Sequence, residues 1–242
     1  MSDITLGPVD KWSFSRLHAF EECPYRVYLS SVKKEKGPAY DDDPDHPLTR
    51  GNREHKNCED FVGGKTDKTT KAMNKFKPEL EMLKEDFDDG KLELEGDWAF
   101  DVDWQPTGWW DDNAWARIKL DVWKLVDPTT GKVIDYKTGK KFGNEVKHTQ
   151  QAQLYMVGAF LKYPEVDLIE TEFLYLDHGL RMNKSYKRDK LPLYLKKFTD
   201  RALKMTTCTD FKPKPTKMNC RWCDYGPENG TGACPYGVPL NG

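Results

Sequence analysis

Residues 118–140, IKLDVWKLVDPTTGKVIDYKTGK, constrain the fold more than any other stretch. Two β-forming runs flank Asp127-Pro128-Thr129-Thr130-Gly131, a turn sequence. An antiparallel hairpin centred near Pro128 sets Asp121 opposite Asp135. Strand alternation puts Lys137 on the same face as Asp135. Two carboxylates and one ammonium then converge on one side of a sheet. Like charges directly opposed in a sheet are destabilising. A bound divalent cation removes that repulsion and suits hard carboxylate oxygens. A lysine beside it can orient or deprotonate a water, or stabilise charge on a phosphoryl oxygen. The competing reading is an exposed hairpin with solvated charges.

The elements around the hairpin follow from periodicity. Ser13–Val32 reads as a helix or two short ones, capped by Ser13 or Ser15. Gly37–Pro47 is a polar, Pro-rich loop. Helices are expected over Gly51–Val62, ended by Gly63-Gly64, and over Lys71–Phe87. Leu92–Tyr136 is rich in strand formers. A helix over Lys147–Lys162, a strand over Asp167–Leu176 and a basic-faced helix over Leu191–Met205 complete the pattern. The tail from Phe211 is rich in Pro, Gly and Cys, so something besides core packing must order it. Glu95 opens the strand region and is a further acidic candidate. Of Trp98, Trp104, Trp109, Trp110, Trp115 and Trp123, most are expected in the core, with one or two left to stack on unpaired bases.

At 242 residues, 37% hydrophobic, the chain is long enough for one large domain with a small appendage. It contains no run of about 18 uncharged apolar residues, so no membrane span is expected. Its first residues lack a basic start and an apolar core, so no secretory signal is expected and the cysteines should be reduced or metal-bound in a cytoplasmic protein. The net charge of −2 hides a polarity. Acids outnumber bases from Glu79 to Asp127, and twelve bases face three acids from Arg181 to Lys217. Within that basic segment, Lys184, Lys187, Arg188, Lys196 and Lys197 are candidates to grip phosphates. The bland alternative is a solvated surface.

Two motifs flank the hairpin. Gly51-x-x-x-His55 lies on an expected helix, and Gln151-x-x-x-Tyr155 has the i, i+4 spacing that shares one helix face. With Asp121 and Asp135-Tyr136-Lys137, these resemble the PD-(D/E)-x-K nuclease superfamily, and within it the RecB-like exonucleases. The resemblance implies phosphodiester hydrolysis with Mg²⁺ or Mn²⁺. His55, Asp121, Asp135 and the Tyr136 backbone carbonyl would hold the ion, Lys137 would activate or position the attacking water, and Gln151 and Tyr155 would orient Lys137 and the DNA. A mixed nitrogen–oxygen site favours Mn²⁺ more than an all-oxygen one. Asp121 departs from a literal Pro-Asp pair.

Of the six cysteines, Cys23, Cys220, Cys223 and Cys234 bracket this region. One early and three late cysteines resemble the iron–sulfur members of that family, which include CRISPR-adaptation nucleases. There a [4Fe–4S] cluster ties the N-terminal helix to the tail. The gap of ten residues between Cys223 and Cys234 keeps a zinc site open as the alternative. Cys58 reads as a buried thiol and Cys208 as structural.

The expected fold is α/β: a short mixed sheet flanked by helices, with a small metal-cluster subdomain made from both termini. Residues 1–36 form the N-terminal helical segment, 48–206 the nuclease core and 207–242 the C-terminal cysteine segment. The expected function is a metal-dependent deoxyribonuclease acting as a phage-type exonuclease on DNA, alone, as a homo-oligomer or with a recombination partner. The alternatives are a CRISPR-adaptation-type nuclease working with an integrase and a non-catalytic DNA-binding module.

Overall fold

The computed structural model describes residues 4–40 and 43–240. Asp41 and Asp42 of the expected polar loop lie outside the described residues. In chain order the elements are α1 (Phe14–Glu22), α2 (Pro24–Val27), α3 (Pro47–Val62), α4 (Lys77–Asp88), β1 (Leu92–Phe100), β2 (Pro106–Thr107), β3 (Ala116–Asp127), β4 (Thr130–Lys137), α5 (Glu145–Lys162), β5 (Leu168–Tyr175), β6 (Leu180–Lys187), α6 (Leu191–Thr206) and α7 (Lys217–Arg221). The strands form one mixed sheet in the order β2-β1-β3-β4-β5-β6. The β3/β4 and β5/β6 pairs are antiparallel, and β4/β5 is parallel. The parallel step requires a crossover, which α5 supplies. The fold is therefore the expected α/β class.

The chain divides into two compact units. The larger comprises Tyr40–Ala114 and Ile118–Leu195. The smaller is built from the chain up to Ala39, Trp115–Arg117 and the chain from Lys196 onward.

In the larger unit, β4 sorts its residues by parity. Ile134 and Tyr136 join a core with Cys58, Phe61 and Val62 of α3 and Leu80 and Leu83 of α4. Asp135 points the other way, where Tyr155 of α5 meets it. Helices thus cover both faces. Gly158 lets α5 lie flat on the sheet, since a Cβ there would sit 2.7 Å from the Ile118 side chain. Gly131 likewise leaves room for Trp123, whose ring a Cβ would meet at 2.1 Å. β1 turns over midway. Leu92 and Leu94 pack on the α3–α4 core, whereas Trp98, of the same parity, lies against Gly158 of α5. The reversal falls at Glu95, whose backbone is left-handed (φ 51°), just before Gly96.

In the smaller unit, Trp12 bridges to Ala116, its ring lies edge-on to Trp115 at 5.5 Å, and it stacks on Phe198. Trp115 donates to Thr206 Oγ1 at 3.1 Å.

Several elements differ from expectation. α3 starts at Pro47, four residues before Gly51, because proline is preformed for the first turn and needs no donor there. The helix expected over Lys71–Phe87 is broken: Met73–Phe76 is a 3-10 turn and α4 begins at Lys77. Pro78 is the cause, since inside a continuous helix it would lose a hydrogen bond and clash with the preceding turn. β6 and α7 have no counterpart in the sequence reading. β6 is an edge strand that buries only Met182 and Tyr186, so it shows no alternation, and its lysines guard the open edge.

Candidate active site

The β3/β4 ladder starts at Asp127↔Thr130, shifts register at a bulge between Leu125 and Asp127, and then runs from Leu125↔Gly131 to Val122↔Ile134, the register expected for a hairpin centred near Pro128. Asp127 Oδ1 accepts from the Thr129 amide at 2.8 Å and shapes that turn. Beyond Val122 a side chain enters the ladder: the Tyr136 amide donates to Asp121 Oδ2 at 2.7 Å. Asp121 Oδ1 lies 3.0 Å from His55 Nδ1, on α3. Burial pulls the His55 pKa down, but the Asp121 hydrogen bond and the Asp121 and Asp135 charges outweigh it and leave it raised.

Asp135 is the centre of the cluster and is 3% exposed. Tyr155 donates to its Oδ1 at 2.5 Å. Gln151 Nε2 donates to Tyr155 Oη at 2.6 Å and reaches Asp135 Oδ1 at 3.4 Å. The other oxygen, Oδ2, has the Lys137 ammonium at 2.5 Å but no aligned hydrogen-bond donor. Burial raises the Asp135 pKa; Lys137 opposes the rise, the Asp121 charge adds to it and His55 lowers it. Burial and then the Asp135 charge hold the Tyr155 hydroxyl far up, so it stays a neutral donor.

The structure therefore brings His55, Asp121, Asp135, Lys137, Gln151 and Tyr155 together. One expected relation changes. Gln151 and Tyr155 bond to Asp135, not to Lys137, because α5 faces the odd-numbered side of β4 and its i, i+4 pair reaches the carboxylate first. Lys137 instead lies over the Phe173 ring at 5.4 Å.

Sequence reading missed a second layer. His148 Nδ1 lies 2.6 Å from Tyr175 Oη, and its ring stacks on Phe173. In the parallel β4/β5 pair, Phe173 neighbours Asp135 and Tyr175 neighbours Lys137. Burial, with Lys137 nearby, lowers the His148 pKa to about 4. The available signal was its place one helical turn before Gln151. Glu95, the further acidic candidate, pairs with Lys119 at 2.9 Å.

The donor set suits a divalent cation: one imidazole, two adjoining carboxylates, and a buried carboxylate oxygen without an aligned donor. As arranged, no three His, Cys, Asp or Glu side chains among the described residues meet at ligating spacing.

In the smaller unit, Cys23, Cys220, Cys223 and Cys234 line one cavity. None of the six cysteines forms a disulfide. The Lys214 amide donates to Cys23 Sγ at 3.4 Å. Burial first, and then the neighbouring Cys23 and Cys220, raise the Cys234 thiol. Four thiols lining one cavity are a donor set for a soft-liganded group. Cys58 is fully buried, and burial pushes its thiol far up, so it is inert. Cys208 is half-buried, its thiol 3.4 Å from the Asp210 carbonyl.

The basic segment is largely committed to the protein itself. Arg188, expected on phosphate, donates to the carbonyls of Phe160, Tyr163 and Val166 and stacks on Phe160. That commitment corrects its assignment, since its donors are spent on closing the end of α5. Lys196 pairs with Asp200. Lys184 and Lys187 are exposed on β6, and burial lowers the Lys197 pKa. Four of the six central tryptophans, Trp98, Trp104, Trp115 and Trp123, are buried, while Trp110 is 81% exposed. No helix among the described residues is long and apolar enough to cross a membrane.

Comparison with solved structures finds SSO0001, at 15% identity with a TM-score of 0.52, covering 97% of this chain and 91% of that one. The likeness supports the fold. A phage-related exonuclease from Haemophilus somnus 129PT is also similar, at 12% identity with a TM-score of 0.32, covering 81% of this chain and 93% of that one. No curated protein matches the sequence. The family model of the PD-(D/E)XK nuclease superfamily matches residues 11–125 and 119–227. Nearly the whole chain is spanned by those two segments, and the chain belongs to the PD-(D/E)XK nuclease superfamily.

Proposed function

We propose that this protein is a divalent-metal-dependent deoxyribonuclease that digests DNA from an end. The observation that carries the reading is the buried Asp135 carboxylate. Tyr155 and Gln151 hold one oxygen, Lys137 meets the other, and Asp121 with His55 adjoins them. Desolvating a carboxylate this fully is costly unless its charge is used. His55, Asp121, Asp135 and the Tyr136 carbonyl would hold Mn²⁺ or Mg²⁺. When bound, such an ion polarises the phosphodiester and lowers the pKa of a water.

The remaining roles belong to the chain. Tyr155, as a neutral donor, fixes the rotamer of Asp135. His55 bonds Asp121 Oδ1 while the Tyr136 amide bonds Oδ2, so the second carboxylate cannot swing. Lys137 Nζ is set to hold a water or a phosphoryl oxygen against Asp135. Exposed lysines on β6 supply nonspecific phosphate attraction, which makes binding weaken with salt.

In the smaller unit, Cys23, Cys220, Cys223 and Cys234 would bind a [4Fe–4S] cluster that holds the tail to the N-terminal helices, a structural rather than redox role. Iron and sulfide content with a visible absorption band supports the cluster, and stoichiometric zinc replaces it with the zinc alternative. The end-directed reading is tested with linear and covalently closed circular DNA in Mn²⁺. Digestion of the linear form alone supports an exonuclease; equal cutting of circles refutes it.

A further inference from the structure

The smaller unit exposes two large apolar side chains together. Trp222 is 72% exposed and Met218 81% exposed. Both line a groove of about 730 Å³ with Lys217, Arg221 and Glu228. Leaving an indole in water forgoes one of the largest burial gains a side chain offers, so an exposed tryptophan in a groove marks a contact surface. Arg221 lies over the Trp222 ring, its guanidinium carbon 5.3 Å from the centroid. Lys217 and Arg221 are four apart on α7 and share a face. The platform is fixed. Thr216 caps α7 by accepting from the Asn219 amide, and Asn229 donates to the Arg221 carbonyl at 3.0 Å. Glu228, the one acid among the described residues that line it, accepts the Leu240 amide at 2.7 Å, so part of its charge is already engaged.

We infer that this groove binds unpaired nucleic acid, with a base stacked on Trp222 and the flanking phosphates on Arg221 and Lys217. A flat π surface next to two cations matches the base and phosphate of a single strand. A duplex offers no free base face, and a protein partner of ordinary composition gains less from the paired cations. The inference deepens the nuclease reading by assigning a second contact for that substrate.

The test uses the full-length protein as isolated, in an Asp135→Asn background that leaves DNA intact, and fluorescein-labelled oligothymidylate followed by anisotropy. Trp222→Ala should weaken binding about tenfold or more, and Trp222→Phe should restore most of it. Arg221→Glu should weaken binding and flatten its salt dependence. Blunt duplex should bind Trp222→Ala as it binds the parent. Binding of oligothymidylate by Trp222→Ala within about twofold of the parent overturns the inference. So does a change in sedimentation with affinity unchanged, which makes the groove a contact between copies. If Trp222→Ala fails to fold by circular dichroism, Arg221→Glu and Lys217→Glu, both at exposed positions, decide the matter in the same assay. Cleavage is scored separately with Asp135 intact. Cleavage by wild type with unaltered Trp222→Ala binding refutes the groove alone, and weakened Trp222→Ala binding without cleavage by wild type refutes the nuclease reading alone.

Discussion

Around Asp135, packed secondary structure holds the side chains of the candidate site: β3 and β4 fix the carboxylates, α5 brings Gln151 and Tyr155, and α3 brings His55. Around Cys234, the chain is short turns and a five-residue helix, tied by local bonds such as Cys234 to the Tyr225 carbonyl and Gly226 to the Cys223 carbonyl. The first region has its order before any ligand arrives. The second has four thiols in one cavity and little apolar burial of its own, so a bound group would supply the order. Loss of a side chain should therefore cost activity in the first region and stability in the second.

The largest expected effect is on activity. Asp135→Asn should reduce cleavage by at least about a hundredfold, measured as initial rate in Mn²⁺. Its melting temperature should hold or rise, because the change removes a buried charge while keeping the shape. A large fall in both would mean that the carboxylate is structural. Next comes the cysteine cavity. Cys220→Ala or Cys234→Ala should lower the melting temperature by about 5 °C or more. Limited proteolysis should then begin in the tail, with cleavage per folded molecule little changed. Reversal of that order, with activity lost and the tail intact, would break the contrast.

Tyr155→Phe is smaller. It leaves Asp135 Oδ1 with only the long Gln151 contact and should cost about tenfold in rate, the scale of one charge-assisted hydrogen bond. The smallest effect concerns pH. His148 is buried and neutral, and its pKa is lowered to about 4 from the ordinary value near 6.5. The unfolded chain binds that proton first, so stability is fully present above about pH 6.5 and falls as pH drops through about 4. His148→Phe should flatten chemical-denaturation stability over that window. An unchanged slope would assign the acid sensitivity elsewhere.

The hairpin of the candidate site was legible because its information is local: a turn and two β runs bring Asp121 and Asp135 close, although the bulge between Leu125 and Asp127 that sets the register was not readable. His55, Gln151 and Tyr155 were legible as motifs, but their partners were not. Spacing says which residues share a helix face and not which strand residue that face meets, so Tyr155 was assigned to Lys137 and bonds Asp135. His148 and Tyr175 were invisible because their pairing depends on the parallel β4/β5 register, set across a long crossover. Charge counts also misled at Arg188. A guanidinium spent on three carbonyls is indistinguishable in sequence from one waiting for phosphate. The break before α4 was readable in Pro78, and β6 was hidden by the polar character of an edge strand.

The most direct test is cleavage of end-labelled linear DNA by wild type, Asp135→Asn and Lys137→Ala, each in Mn²⁺ and in EDTA. Loss of label by wild type in Mn²⁺ alone, abolished in both variants, is the expected result. Cleavage by either variant at the wild-type rate, or by wild type in EDTA, would contradict a metal-dependent centre built on Asp135 and Lys137.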